Sequence, residues 1–118
     1  MLVKVLRAKI HRATVTRAEI DYVGSITIDR ELMDAVGLVA GECVLVADMT
    51  DGARFETYVI EGDRGSGMIC VNGAAARLVT IGDKVIIMSF SYAEPEEAKG
   101  LRPAVALVDE RNHLQRML

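Results

Sequence analysis

Two adjacent residues, Gly24 and Ser25 in the run Tyr22-Val23-Gly24-Ser25, carry the chemistry this chain is best equipped to perform on itself. A serine hydroxyl can attack the carbonyl carbon of the preceding residue and turn an amide into an ester. The attack needs a distorted backbone, and glycine, with no Cβ, is the residue that reaches such torsions most cheaply. Elimination from the ester leaves dehydroalanine, which takes up water and loses ammonia to become an N-terminal pyruvoyl group, an electrophilic ketone. A second pair, Gly65-Ser66, lies between Arg64 and Gly67 and reads as a relaxed surface turn. Gly-Ser pairs are common by chance, so other residues must support the assignment.

Period-2 alternation places Arg54, Glu56 and Tyr58 on one face of a strand and Phe55, Thr57 and Val59 on the other. An arginine fork suits a carboxylate, and a tyrosine hydroxyl can donate a proton. Lys9 and His11 share a face near the end of the first strand. Each of these has an ordinary alternative, a solvated cation or a packed ring, so none is decisive alone.

Elements that could position these groups are mostly short strands. Val3, Val5, Ala8 and Ile10 mark one; Ala13, Val15, Ala18 and Ile20 a second; Ile26 and Ile28 a third. A helix follows, with Asp29 as N-cap, Leu32, Met33 and Val36 on one face and Gly37 at its end. Residues 43–47 and 55–60 flank the Asp51-Gly52 turn of a hairpin. Residues 85–88 and 104–108 read as further strands, 72–77 as a helical turn and 94–99 as a short helix. Many short strands, few helices and no repeat or linker predict a closed β-barrel forming one domain over residues 1–118.

The composition, 51% hydrophobic and 26% charged over 118 residues, supports one core. Cys43 and Cys70 lie in apolar runs without metal-ligand spacing and read as reduced, buried thiols. Basic residues within the first ten positions break any secretory apolar run, and no later stretch reaches a membrane-spanning length, so a soluble, cytoplasmic protein is expected. Net charge is −3, with five basic and no acidic residues in 1–18 against eleven acidic and two basic in 19–63. That asymmetry suits charged faces that neutralise one another between subunits better than a nucleic-acid surface or a site for a small acidic substrate.

Taken together, the chain resembles the pyruvoyl-dependent aspartate decarboxylase family over nearly its whole length. The motifs that carry the resemblance are Lys9-Ile10-His11-Arg12, Tyr22-Val23-Gly24-Ser25, residues 51–58, residues 61–67, and Asn72-Gly73-Ala74-Ala75-Ala76, in that order. The resemblance implies a double-psi β-barrel with a few short helices, assembled as a homotetramer with active sites between subunits. It further implies cleavage into residues 1–24 and 25–118, a pyruvoyl group derived from Ser25, and L-aspartate as the substrate, in pantothenate synthesis. By the same resemblance Tyr58 is the proton donor, Thr57, Gly73, Ala74 and Ala75 contact substrate, and Lys9, Arg54 and Asn72 line the site. Ala47 stands where some members carry an aromatic residue and Arg77 where histidine is frequent, while the tail after Glu110 matches nothing recognisable.

A pyruvoyl ketone is an electron sink, so it suits loss of the α-carboxylate, while the surviving side-chain carboxylate calls for Arg54 or Lys9 as its cation. Thr57 and Tyr58 face opposite ways on a flat strand. Bringing both to one site requires a twist, a bulge or a neighbouring subunit. Residues 24–46 also resemble AbrB-type swapped-hairpin DNA-binding regulators, the alternative from a different functional class. A third reading is an uncleaved barrel acting as a scaffold.

Overall fold

The computed structural model describes residues 1–118, and its first strand departs from the sequence expectation. Residues 3–20 read as two short strands, but β1 runs unbroken over Val3–Thr14, and only the small β2 (Arg17–Glu19) follows. The apolar residues change parity along β1, from Val3 and Val5 to Ala8 and Ile10 and back to Ala13. Two register irregularities against β7 (Lys84–Ala93), between Leu6 and Ala8 and between Ile10 and Ala13, account for both changes. Each inserts one extra residue, which flips the inward face without ending the strand. The second contains Arg12 at φ 66°, in the left-handed region.

Then come β3 (Ser25–Asp29), α1 (Arg30–Val36), β4 (Cys43–Asp48), β5 (Arg54–Gly62) and β6 (Ile69–Asn72). A 3-10 helix over Gly73–Leu78 leads into β7, and α2 (Pro95–Ala98), β8 (Ala104–Val108) and β9 (Leu114–Met117) close the chain. The helix, the β4–β5 hairpin and the 72–77 turn therefore stand where the sequence placed them. Asp29 accepts from the Glu31 amide at 2.9 Å as the N-cap, and Gly37 ends α1 at φ 78°. The sequence reading had no strand at β6 or β9; β9 pairs antiparallel with β8 in the tail that matched no motif.

Hydrogen-bonded neighbours follow the order β2-β6-β3-β5-β4-β7-β1-β8-β9. Because β2 continues β1 across only Val15 and Thr16, the segment 3–19 pairs with β7 along its first part and with β6 along its second. The Val15 amide donates to Asp83 O and the Thr16 amide to Ile69 O, bridging that gap. The sheet thus closes on itself as a mainly β barrel, with β8 and β9 added outside the ring. Ile10, Ile26, Ile28, Val46, Val71 and Ile87 fill its interior, and Leu32 and Met33 of α1 pack onto the same core. Cys70 is buried as expected, whereas Cys43 is exposed, because it sits at the start of β4 with its side chain toward Glu56. No helix is long and apolar enough to cross a membrane.

The segment 24–46 of the swapped-hairpin alternative is woven into this ring. Its strand β3 lies between β5, parallel, and β6, antiparallel.

Candidate active site

All five residues of β3 are buried, which sets apart its two faces. Ile26 and Ile28 enter the core, leaving Ser25, Thr27 and Asp29 as a polar row that must be satisfied internally. Asp29 does so at one end. Beyond its capping bond, its two carboxylate oxygens accept from the Gly65 and Gly67 amides, each at 2.9 Å. The Arg64–Gly67 turn is therefore fastened to the start of α1, where the sequence suggested a relaxed surface loop.

At the other end the partner is β6, where Ser25 stands opposite Asn72 and Thr27 opposite Cys70. The Asn72 Nδ2 donates to Ser25 Oγ at 2.9 Å and to Thr27 Oγ1 at 3.2 Å. Its Oδ1 accepts from Cys70 Sγ at 3.2 Å. Ser25 Oγ in turn donates to Val23 O over a long 3.5 Å. Four polar side chains thus form one connected, buried group around the asparagine.

Ser25 forms part of the wall of a cavity of about 420 Å³, together with Asp21, Tyr22, Val23, Tyr58, Ile60 and Asn72. Tyr58 reaches it because β5 lies parallel to β3, with Ile26 opposite Val59, so that Ser25 and Tyr58 are one step back on adjoining strands. Behind the cavity, Gly73 adopts φ 77°, and a Cβ built on it would stand 2.6 Å from Gly24 Cα and 2.8 Å from Gly24 N. Glycine is therefore required there both by torsion and by the close approach of the Gly24 backbone.

The chain thus brings together Gly24, Ser25, Tyr58, Asn72 and Gly73. It does not bring Lys9, Arg54, Thr57, Ala74 or Ala75 to the cavity wall. Lys9 lies on β1 between Met88 and Val105, and Arg54 is paired with Ala47 at the far end of β5. Neither cation has an ion-pair partner among the salt bridges. From Arg54 to Ile60 strand β5 alternates, Thr57 half-buried and Tyr58 exposed on the opposite face, with no bulge to turn them together. His11, facing Leu107 of β8, has a buried Nδ1 without a hydrogen-bond partner. Burial, then Lys9 and Arg12, hold its pKa below the ordinary histidine value, favouring the neutral ring.

Sequence reasoning missed Cys70, Thr27 and Ile60. Period-2 counting from residues already singled out reaches each one: Cys70 from Asn72, Thr27 from Ser25, Ile60 from Tyr58.

The sequence pattern of the family described as aspartate decarboxylase matches residues 1–115. The aspartate 1-decarboxylase of Lactiplantibacillus plantarum is 60% identical over 114 residues, covering 97% of this chain and 88% of its own. That of Caldicellulosiruptor saccharolyticus is 56% identical over 117 residues, covering 99% and 91%. Among solved structures, a computationally designed double-psi β-barrel protein aligns with 74% of this chain and 99% of its own at 23% identity, with a TM-score of 0.49.

Proposed function

This chain belongs to the aspartate decarboxylase family, and we propose on that premise that it cleaves itself between Gly24 and Ser25, residue 25 becoming the pyruvoyl group. It is a carboxy-lyase that converts L-aspartate to β-alanine and carbon dioxide for pantothenate synthesis, and we read its closed barrel as the double-psi class that the family implies. The reading carries residues 1–24 and 25–118 as the two mature chains, a cytoplasmic setting and a homotetramer.

The observation that carries the proposal is the Asn72 Nδ2 bond to Ser25 Oγ at the wall of the Tyr58 cavity. One lone pair of the serine oxygen is engaged and its hydrogen is turned toward Val23 O, which leaves the other lone pair for attack on the Gly24 carbonyl. Gly73 presses against Gly24 from behind, so the scissile residue is held against a fixed wall. The residues fit the group that results. Loss of Oγ with the departing Gly24 carboxylate frees the buried Asn72 donor to face whatever occupies position 25.

When formed, a pyruvoyl group supplies the electron sink that lets the α-carboxylate leave as carbon dioxide. The chain's own residues then bind and protonate. Tyr58, which lines the same cavity, is the proton donor to the carbon that loses carbon dioxide. The amides of Gly73, Ala74 and Ala75 and the Thr57 hydroxyl contact substrate, while Arg54 or Lys9 holds the surviving carboxylate. Because Lys9, Arg54, Thr57, Ala74 and Ala75 lie away from the Ser25 cavity of their own chain, they belong with a site completed by an adjoining subunit. The exposed rim residues Tyr22, Val23 and Ile60 supply apolar surface for that contact.

The test is release of carbon dioxide from L-aspartate by purified protein without added pyridoxal phosphate. Turnover that depends on an added cofactor overturns the pyruvoyl assignment.

A further inference from the structure

We propose that Cys70 is a positioning residue for self-processing, its thiol holding the Asn72 carboxamide in the orientation that turns Nδ2 toward Ser25 Oγ. The inference rests on the reading of Ser25 as the nucleophile, and it concerns how that nucleophile is prepared.

An asparagine carboxamide has two faces of opposite polarity, and the groups around it decide which way it points. Here Nδ2 meets two hydroxyl oxygens, Ser25 Oγ and Thr27 Oγ1, and Oδ1 meets a single side-chain partner, Cys70 Sγ at 3.2 Å. Ser25 and Thr27 can also donate, so without a donor at Oδ1 they would hold a flipped amide through two O–H···Oδ1 bonds. The thiol opposes that flip, because its S–H donates to Oδ1 while its sulfur accepts from Nδ2–H only weakly. Burial raises the pKa of Cys70 above its ordinary value, so the sulfur keeps its proton and remains a donor. Cys70 and Asn72 are both buried, 5% and 3% exposed, which strengthens the bond between them.

The consequence lies in the serine. With Nδ2 donating to Oγ, the hydroxyl hydrogen must point elsewhere, and Val23 O is its acceptor. A flipped amide would instead take the serine hydrogen on Oδ1, removing Nδ2 from Oγ and turning the O–H into the asparagine. The free lone pair would then be redirected away from the wild-type arrangement. Cys70 thereby fixes the approach of the nucleophile without touching the reacting atoms, which distinguishes it from the merely packed thiol that composition suggests.

The experiment follows cleavage of freshly isolated full-length chains by intact mass, comparing wild type with Cys70→Ser, Cys70→Ala and Cys70→Val. Serine restores a donor, alanine removes it with some volume, and valine removes it while filling the space. We expect Cys70→Ser to cleave within about twofold of wild type, and both apolar variants to be slower by about three- to tenfold, the worth of one neutral hydrogen bond. Alanine and valine should share that reduced rate even where their melting temperatures differ, which a purely structural role would not produce. If alanine does not fold, the serine–valine comparison carries the test. Wild-type rates in a folded Cys70→Val chain, or a Cys70→Ser chain as slow as valine, overturn the role of Cys70 while leaving Ser25 in place. A wild-type chain that never cleaves overturns the self-processing reading and this inference with it.

Discussion

The backbone of Gly24 occupies the space a Cβ on Gly73 would need, with Gly24 Cα only 2.6 Å from that position. Residues 49 apart in sequence are thereby in direct backbone contact, and Gly73 is at the same time in the left-handed region at φ 77°. Gly73→Ala should therefore displace Gly24 as well as strain its own torsion. We expect self-cleavage to slow by at least tenfold and stability to fall by about 1–3 kcal/mol, the usual cost of overpacking. Fragment yield against time and a thermal melt measure the two effects separately.

Intact mass spectrometry should find residues 1–24 and 25–118 as separate chains, the second lighter by one ammonia than simple hydrolysis gives. Ser25→Ala should remain a single chain of 118 residues, having no hydroxyl to attack Gly24. A wild-type protein that stays whole after long incubation removes the spontaneous form of the proposal.

Tyr58→Phe keeps the ring at the cavity and removes its proton. Self-cleavage should proceed as in wild type, while kcat falls by about 10²- to 10⁴-fold, the range for loss of a general acid. Near-normal steady-state turnover would leave Tyr58 as a packing residue.

Arg54 does not reach the cavity of its own chain, which makes a subunit-mixing experiment informative. Arg54→Lys should chiefly raise KM for aspartate, because a point charge replaces a planar fork. Co-assembled Arg54→Ala and Ser25→Ala chains, each inactive alone, should regain part of the activity, since some sites then combine an intact Ser25 with an intact Arg54. No recovery in verified mixed oligomers would place both residues in one chain's site.

Asp48 offers a pH test away from the chemistry. It is buried at the end of β4, and burial, with Asp83 next to it, raises its pKa above the ordinary carboxylate value. A raised folded-state pKa means that the folded chain holds this proton more tightly than the unfolded one. Its stabilising contribution is complete below the unfolded value, about pH 4, and is lost as pH rises through the folded one. Asp48→Asn keeps an acceptor for the Thr50 amide, now bonded at 2.8 Å, and cannot ionise. It should melt higher than wild type at pH 7 and above, with the advantage shrinking toward pH 4.

Much of this architecture was legible because local chemistry and global packing agree. Asp29 and Gly37 delimit α1 in sequence as in structure, and Asp51-Gly52 sets the hairpin that fixes the register of Tyr58. β1 was misread because a bulge and a strand end produce the same change of apolar parity, and only the partner strand β7 distinguishes them. The short β6 escaped notice although it supplies Asn72, since four buried residues carry no alternation to count. Gly24, Ser25 and Asn72 were visible as motifs, yet the Cys70–Asn72–Ser25 connection depends on the antiparallel pairing of β3 with β6, which a linear reading does not contain. Lys9 and Arg54 show the converse, since strand position and motif membership both named them and one chain does not bring them to Ser25.

The closure of the barrel by residues 3–19 gives a break at Gly24 an unusual outcome. The piece it releases is an integral stave, paired with β7, β8 and β6 along its length, and it contributes Ala8, Ile10, Ala13 and Val15 to the interior. Cut there, the protein becomes an obligate two-chain complex whose halves remain joined by sheet and core alone. Its denaturation then becomes a dissociation, so dilution should lower the melting temperature of the cleaved form more than that of the uncleaved Ser25→Ala chain.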